Sequence, residues 1–492
     1  MSSKTPISLL NFFVFNSSYS HTEDDEQNKI LYFYPTEVEL NTQIKAVGLC
    51  EAIIKFTETF GTSACEALHT QKTKEVFLEP EPGFWMIMTL TIPFQQKSRD
   101  GQSYVEYFTD EIQDHVYQSV LLKSYRMFTL LNGTFGSLVG EGEGNVNSLR
   151  KKLQQFYDTY LVNLKSSEAD LLDIFQGIHF LPLERYSFLK ILCFINQLEE
   201  KFRCVKYSVF LYNDQLVWSG LEPDDIQIVY QHLSLDLIPS FIDSELKGGV
   251  FSPSRTSAFG SGTHFGRFMT GPKSPEDEAG LQNIPKIFLS KGCFFLVAYR
   301  ALNATICLFI EDTYEFKCDF FKSLDAALGS HLSNLASEIG EHFSKTFSHY
   351  RFLNLKWLTD QIDKCNFCVH LKLKKILNLN AEQQSKFMYM YFNHMNLAQK
   401  TSMHADMKST GHALITSDIM KLFADFYVDL SKMQDYGEIN GKTLGDYWVI
   451  AKLSDERELY VVLQQKNANI VDVNDEMKKL SASLFHNIFI VE

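Results

Sequence analysis

Residues 205–220 read VKYSVFLYNDQLVWSG. Val205, Tyr207, Val209 and Leu211 recur at every second position, the period of a strand with one buried face. Asn213-Asp214 supplies a tight turn and Gln215 to Ser219 returns, so the stretch predicts a hairpin. Pro223 then stands near the first turn of a helix through Ile226, Val229, Leu233 and Leu237, where its missing N–H costs little. Asp243 to Asn283, rich in Gly, Ser and Pro, is expected to be a long mobile loop. Strands follow at Ile284 to Leu289, Cys293 to Tyr299 and Ala304 to Ile310. A long helix carrying Phe320, Leu324, Leu328, Leu332, Leu335, Ile339 and Phe343 closes the unit.

Working outward, the same order precedes this unit in the chain. Ile7 to Phe15 and Lys29 to Tyr34 are apolar strands joined by a polar loop. Glu37 to Phe60 is helical in period, and strands are expected at Lys74 to Leu78, Phe84 to Pro93 and Tyr104 to Phe108. A helix from Asp110 to Leu131 is stopped by Asn132-Gly133, and another carries Leu149, Leu153, Phe156, Tyr160 and Leu164. A helix from Tyr186 to Phe202 leads into the second unit. A fainter third copy has a strand at Phe387 to Phe392, a helix near Ser417 to Leu430, strands at Asp446 to Leu453 and Glu458 to Gln464, and a helix from Asn474 to Ile488.

Two strands, a helix, three strands and further helices make an α/β fold with a five-stranded, mostly antiparallel sheet sandwiched by helices. The helix from Glu37 to Phe60 has one apolar stripe at Leu40, Ile44, Val47, Cys50 and Ile54. A second stripe, Leu49, Ile53, Phe56 and Phe60, lies on the opposite side at 100° per residue. One stripe packs on the sheet, and the other would face water. Four large apolar side chains left exposed forgo on the order of 6–10 kcal/mol at about 1.5–3 kcal/mol each. Another module of the chain or a separate protein must cover them, and patches of this kind mark interfaces.

The 492 residues carry a net charge of −14, which argues against general nucleic-acid binding. With 45% hydrophobic and 22% charged residues the composition is globular. The start of the chain is too polar for a signal peptide, and Arg300 and Asn303 interrupt the longest apolar run. Nine cysteines without regular spacing fit reduced thiols and a cytoplasmic setting.

Motifs with chemistry fail on spacing. Gly437 to Thr443 resembles a phosphate loop one residue short, with Tyr436 at the first glycine position, and reads as a surface turn. Gly140, Gly142 and Gly144 alternate with acids, and Gly260-Ser261-Gly262 lacks dinucleotide spacing; both read as linkers. Cys365 and Cys368, with His370 close by, are half a zinc site without a second pair. No nucleophile elbow or paired carboxylates stand out. No covalent catalysis, metal or cofactor is expected. Trp85, Trp218 and Trp448 fall inside strand patterns and read as core.

Several runs resemble the Ccz-one vacuolar fusion proteins: NKILYFYP from Asn28, VGLCEAI from Val47, LHTQK from Leu68, and LLDIF from Leu171 followed by FLPL. So do KYSVFLYNDQLVWSGLEPDD from Lys206, GRFMTGP from Gly266, YFNHMNLAQK from Tyr391 and DYWVIAKLSDERELYVVLQQKNAN from Asp446. The resemblance implies three longin-like domains, at 1–165, 166–345 (with the loop 243–283) and 381–492. Residues 346–380, where the family pattern has a short linker, read as an atypical insertion. It further implies a heterodimer with a Mon-one family longin protein. That pair acts as a guanine-nucleotide exchange factor for the late-endosomal Rab GTPase, Rab-seven, with a third scaffold subunit in animals. Peripheral recruitment to phosphoinositide-bearing membranes of late endosomes, lysosomes and autophagosomes is part of the same expectation. In that reading Leu49, Ile53, Phe56 and Phe60, with Lys45, Glu51 and Lys55 beside them, are candidates for the partner or GTPase interface. The alternative is a longin scaffold that tethers proteins without exchanging nucleotide.

Overall fold

The computed structural model describes the chain apart from residues 1–3, 21–22, 62–64, 100–101, 141–145, 248–257, 261, 347–386, 402–416, 465–468 and 485–492. The expected insertion, its Cys365/Cys368 pair and Trp357 lie outside the described residues.

The first module begins with β1 (Ser8–Asn16) and β2 (Ile30–Tyr34), followed by α1 (Leu40–Glu58). Next come β3 (Ala67–His69), β4 (Thr73–Glu81) and β5 (Phe84–Thr91), then the ribbon β6 (Phe94–Arg99) and β7 (Gln102–Tyr107). Helices α2 (Asp114–Asn132), α3 (Phe135–Val139) and α4 (Val146–Asn163) complete it. The strands form one antiparallel sheet in the order β2-β1-β5-β4-β3. Its two faces bury different sets. Phe13, Phe15, Phe33, Trp85 and Ile87 pack under Val47, Cys50 and Ile54 of α1. Phe12, Val14, Met86 and Met88 pack under Val116, Val120 and Phe128 of α2 and Leu153 and Tyr157 of α4. Cover on both faces is why Phe12 to Phe15 of β1 form an unbroken apolar run instead of alternating.

The connection α5 (Leu171–Phe175) and α6 (Arg185–Lys201) leads to β8 (Val205–Tyr212), β9 (Gln215–Ser219), α7 (Pro223–His232) and α8 (Ile238–Lys247). Asn213 and Asp214 both take positive φ, 49° and 60°, as a two-residue hairpin turn requires. Then follow β10 (Gly266–Phe268), α9 (Glu278–Gln282), β11 (Lys286–Leu289), β12 (Gly292–Ala301), β13 (Ala304–Glu311) and α10 (Cys318–Thr346). The sheet order is β10-β12-β13-β8-β9, with β11 also paired to β12. The third module has β14 (Phe387–Asn393), β15 (Ala398–Thr401), α11 (Ser417–Leu430), β16 (Tyr436–Lys442), β17 (Tyr447–Ser454), β18 (Arg457–Gln464) and α12 (Ile470–Leu484), in the order β15-β14-β18-β17-β16. With the extra strand β11 set aside, all three sheets therefore share one topology: second strand, first, fifth, fourth, third.

The structure corrects the expected reading of four segments. Tyr104 to Phe108 is not a strand of the first sheet: among the described residues β7 pairs only with β6, and Tyr104 and Val105 stay exposed. The outer position goes to Ala67–His69, too short to show a period. Within Asp243 to Asn283, expected as an unstructured loop, Gly266–Phe268 joins the sheet, because Phe268 packs edge-on against Tyr299 and Phe321. Gly437 to Thr443 is not a surface turn but mostly edge strand β16. Cβ atoms added at Gly437 and Gly441 would come within 2.3 Å of Met433 and 3.0 Å of Phe426, so these glycines admit α11 close to the sheet. The last helix starts at Ile470, ahead of the expected Asn474, since the Asn469 side chain accepts from the N–H groups of Val471 and Asp472. Of the tryptophans, Trp85 is core, whereas Trp218 and Trp448 are half-buried.

One extended segment joins the modules. The Ile178 N–H donates to Leu397 O and Ile178 O accepts from Gln399 N, both at 2.8 Å, beside the edge strand β15. On the segment's opposite edge Leu216 N donates to His179 O at 2.8 Å and Leu181 N to Leu216 O at 2.9 Å, beside the edge strand β9. Gly177 lies against Gln399, whose Oε1 accepts its N–H at 3.0 Å, and a Cβ there would meet Gln399 Cβ at 2.3 Å. Gly177→Ala is expected to destabilise the full chain by about 1–3 kcal/mol, the usual cost of overpacking. Gly48→Ala, in open space on α1, should instead stabilise it by roughly 0.5–1 kcal/mol. Urea midpoints of the two variants check this; a Gly177→Ala protein as stable as the native one would contradict the packing described.

Candidate functional site

The helix between the second and third strands is the recurrent element to compare. In the second module this is α7, where Ile226, Gln227, Ile228, Val229 and Tyr230 are buried in succession. Five consecutive buried residues mean cover on every side, and α2 of the first module supplies the outer cover. Met127 and Leu130 enter the α7 core, Arg126 Nη1 donates to Gln227 Oε1 at 2.6 Å and Nη2 to Asp224 O at 2.8 Å. In the third module this helix is α11. Leu171 and Phe175 of α5 pack among its Ile419, Phe423 and Phe426, while Ala424 reaches the core of the first module.

The corresponding helix of the first module, α1, is different. Its inner side buries Val47, Cys50, Glu51 and Ile54. Leu49 is 57% exposed, Phe56 64% and Phe60 78%, so no described element covers the outer side. Ile53 is partly covered, and Lys45 and Lys55 are exposed. Phe56 and Phe60 hold each other with ring centroids 4.8 Å apart, tilted by 55°. Leu40, expected on the inner stripe, is exposed at the helix start, and Ile44 is half-buried.

Glu51 departs from its expected place beside the outer stripe. It is buried toward the hairpin loop, bonded to Lys29 Nζ at 2.8 Å and to Lys55 Nζ at 2.5 Å. A helical position between the two stripes can turn either way, and the long Lys29 side chain, unrelated to the helix in sequence, decides it. Below the helix the Cys50 thiol contacts Glu75 Oε2 at 3.6 Å, and burial pushes both groups up. All seven cysteines among the described residues are free.

An open crevice of about 850 Å³ adjoins the aromatic end of α1. It is lined by Phe56, Phe60, Cys65, Glu66, His69 and Asp114, with Thr57, Gly61 and Ala67 between them. One wall is β3, the outer strand of its sheet, which among the described residues pairs only with β4. The lining comes from three separate segments, so no local period could announce it. An apolar helix face, an open strand edge and an aromatic pair are thus contiguous. This arrangement can bind a polypeptide; among the described residues no three metal-ligating side chains converge, and no helix is long and apolar enough to cross a membrane.

The first longin domain of INTU, CCZ1 and HPS4 has a sequence pattern that matches residues 9–133. Intu longin-like domains 2 and 3 match residues 205–329 and 383–480. Vacuolar fusion protein CCZ1 homologs match at full length. That of Nematostella vectensis is 42% identical over 99% of this chain and 99% of its own, and that of Xenopus laevis 40% over 99% and 98%. The chain belongs to the CCZ1 family. A CCZ1 homolog of Dictyostelium discoideum is 26% identical over 98% of both chains. The three repeated sheets are therefore longin-like domains, as the family resemblance implies.

Burial pushes the Glu51 carboxyl up, but the hydrogen bonds from Lys29 and Lys55 outweigh it and hold the group below the ordinary glutamate value. A depressed carboxyl stabilises the fold above its unfolded value, about 4.3, and that contribution is lost as pH falls through the folded value. Glu51→Gln is accordingly expected to lower the urea midpoint at pH 7, with the gap to the native chain closing on acidification below about pH 4. A gap independent of pH would refute the paired-carboxylate account.

Proposed function

We propose that this CCZ1-family chain is one subunit of a heterodimeric guanine-nucleotide exchange factor for the late-endosomal Rab GTPase, completed by a Mon-one family longin protein. The uncovered face of α1 carries the proposal. Two of three equivalent helices are sealed by other parts of the chain, and the third offers Leu49 and Phe56 to water, with Phe60 beside them in the turn just past its end. Burying each is worth about 1.5–3 kcal/mol, which a second longin polypeptide laid along α1 and the β3 edge would recover. Lys45 and Lys55 form the polar rim of that surface.

The activity rests on binding rather than bond chemistry. The assembled pair holds the nucleotide-free GTPase more tightly than the loaded one, so it accelerates nucleotide loss. By linkage the incoming nucleotide weakens the pair's hold in equal measure, and the more abundant GTP reloads the GTPase. No side chain of this subunit need act as acid, base or nucleophile. The complex works in the cytoplasm and is recruited peripherally to late-endosomal, lysosomal and autophagosomal membranes, in animals with a third scaffold subunit.

The test is release of labelled GDP from Rab-seven by the chain alone, by the co-expressed pair, and by pairs carrying Leu49→Asp with Phe56→Asp. Release is expected from the native pair only, with the variant losing co-purification by at least tenfold, equivalent to about 1.4 kcal/mol. Assembly without faster release would leave a tethering scaffold. Full assembly of the pair by the Asp variant would remove α1 from the interface.

A further inference from the structure

Four consecutive residues leading into α2 tie the crevice to the third module. Glu111 pairs with Lys421 of α11 at 2.7 Å and also with Lys4. The buried Lys74 ammonium donates to Ile112 O and lies 2.9 Å from Asp114 Oδ1. Gln113 Nε2 donates to Asp425 Oδ1 at 2.9 Å, one turn along α11 from Lys421. Asp114 also meets His69 Nε2 at 2.8 Å, and both of these residues line the crevice. The backbone here has only a 3₁₀ turn, Thr109–Glu111, before α2 begins. Ile112, 1% exposed, anchors the turn in the first module, while its flanking side chains are held by the third.

Such a turn lacks the full hydrogen-bond ladder that would fix it independently of its surroundings. Its polar contacts are partly shielded: the side chains of Glu111 and Lys421 are 17% and 24% exposed, so salt screens them weakly. We infer that seating of α11 of the third module against residues 111–114 sets the floor of the α1–β3 crevice, so that module seating and binding of a polypeptide partner in the crevice are coupled. The partner half of this inference rests on the reading that a second longin polypeptide meets α1 and β3. Coupling is reciprocal: whatever the third module contributes to partner affinity, the partner returns as tighter seating of α11.

The experiment is amide hydrogen exchange on the full chain, native and with Lys421→Gln or Asp425→Asn, first alone and then with the second longin polypeptide added. Lys432→Gln, which removes an exposed ion pair with Asp429 at the far end of α11, is the control. In the chain alone, exchange over Ala67–His69 is expected to rise roughly fivefold in the two junction variants and to stay native in the control, with Lys421→Arg restoring the native rate. With the partner, exchange over Ser417–Leu430 of the native chain should slow, and the junction variants should bind roughly fivefold more weakly. Faster exchange confined to α11, with β3 unaltered, overturns the coupling. A partner that fails to bind the native chain overturns the preceding reading, while the first arm still decides whether α11 sets the crevice floor.

Discussion

The arrangement of the three modules depends on the short extended segment from Ile178 to Leu181, hydrogen-bonded along both of its edges. One edge engages Leu397 and Gln399 beside the third sheet, and the other engages Leu216 of the second. Both neighbours are outermost strands, which otherwise present unpaired N–H and C=O groups to water. The segment therefore closes two open edges at once and fixes the second and third sheets side by side. Its geometry explains the rest of the connection: Gly177 has no room for a side chain, and Ile178 is 1% exposed. The preceding helix, α5, is thereby delivered onto α11, and α2 onto α7.

That placement gives equivalent helices different fates. Every longin-like domain has a helix lying across its sheet, and a helix apolar on two sides needs two covers. In the second and third modules the chain provides both. In the first the inner cover is the sheet, and among the described residues the outer one is missing. The contrast between α7, buried all round, and α1, bare on one side, arises within a single chain of repeated topology. It is a sharper sign of an interface than exposed leucines and phenylalanines alone, since folded proteins expose much apolar surface in any case.

Much of this was legible in residue order. The alternation of Val205 to Leu211 with Asn213-Asp214 gave the second hairpin, and the two stripes of Glu37 to Phe60 gave a helix with an inner and an outer side. What escaped were features set by distant contacts. Ala67–His69 is too short to show a period and is a strand because Thr73–Glu81 pairs with it. Gly437 and Gly441 imitate a phosphate loop but answer to the approach of Met433 and Phe426. Glu51 sits among interface candidates in sequence yet turns inward to Lys29. The crevice draws on segments around Phe56, His69 and Asp114, brought together only by folding. The family resemblance was carried by long runs spread through the whole chain, which is why it was more specific than any single motif.

The double-edged role of the Ile178 segment also bears on how the protein emerges from the ribosome. The second sheet can form once Ala304–Glu311 has been made, whereas β15, which seals the segment's far edge, arrives almost ninety residues later. Until then no strand among the described residues pairs with that edge, a template for any passing strand. A transcript ending before Phe387 would make this transient exposure permanent. Its product would keep that row of N–H and C=O groups without the β15 partner, a place where strands of other chains can add.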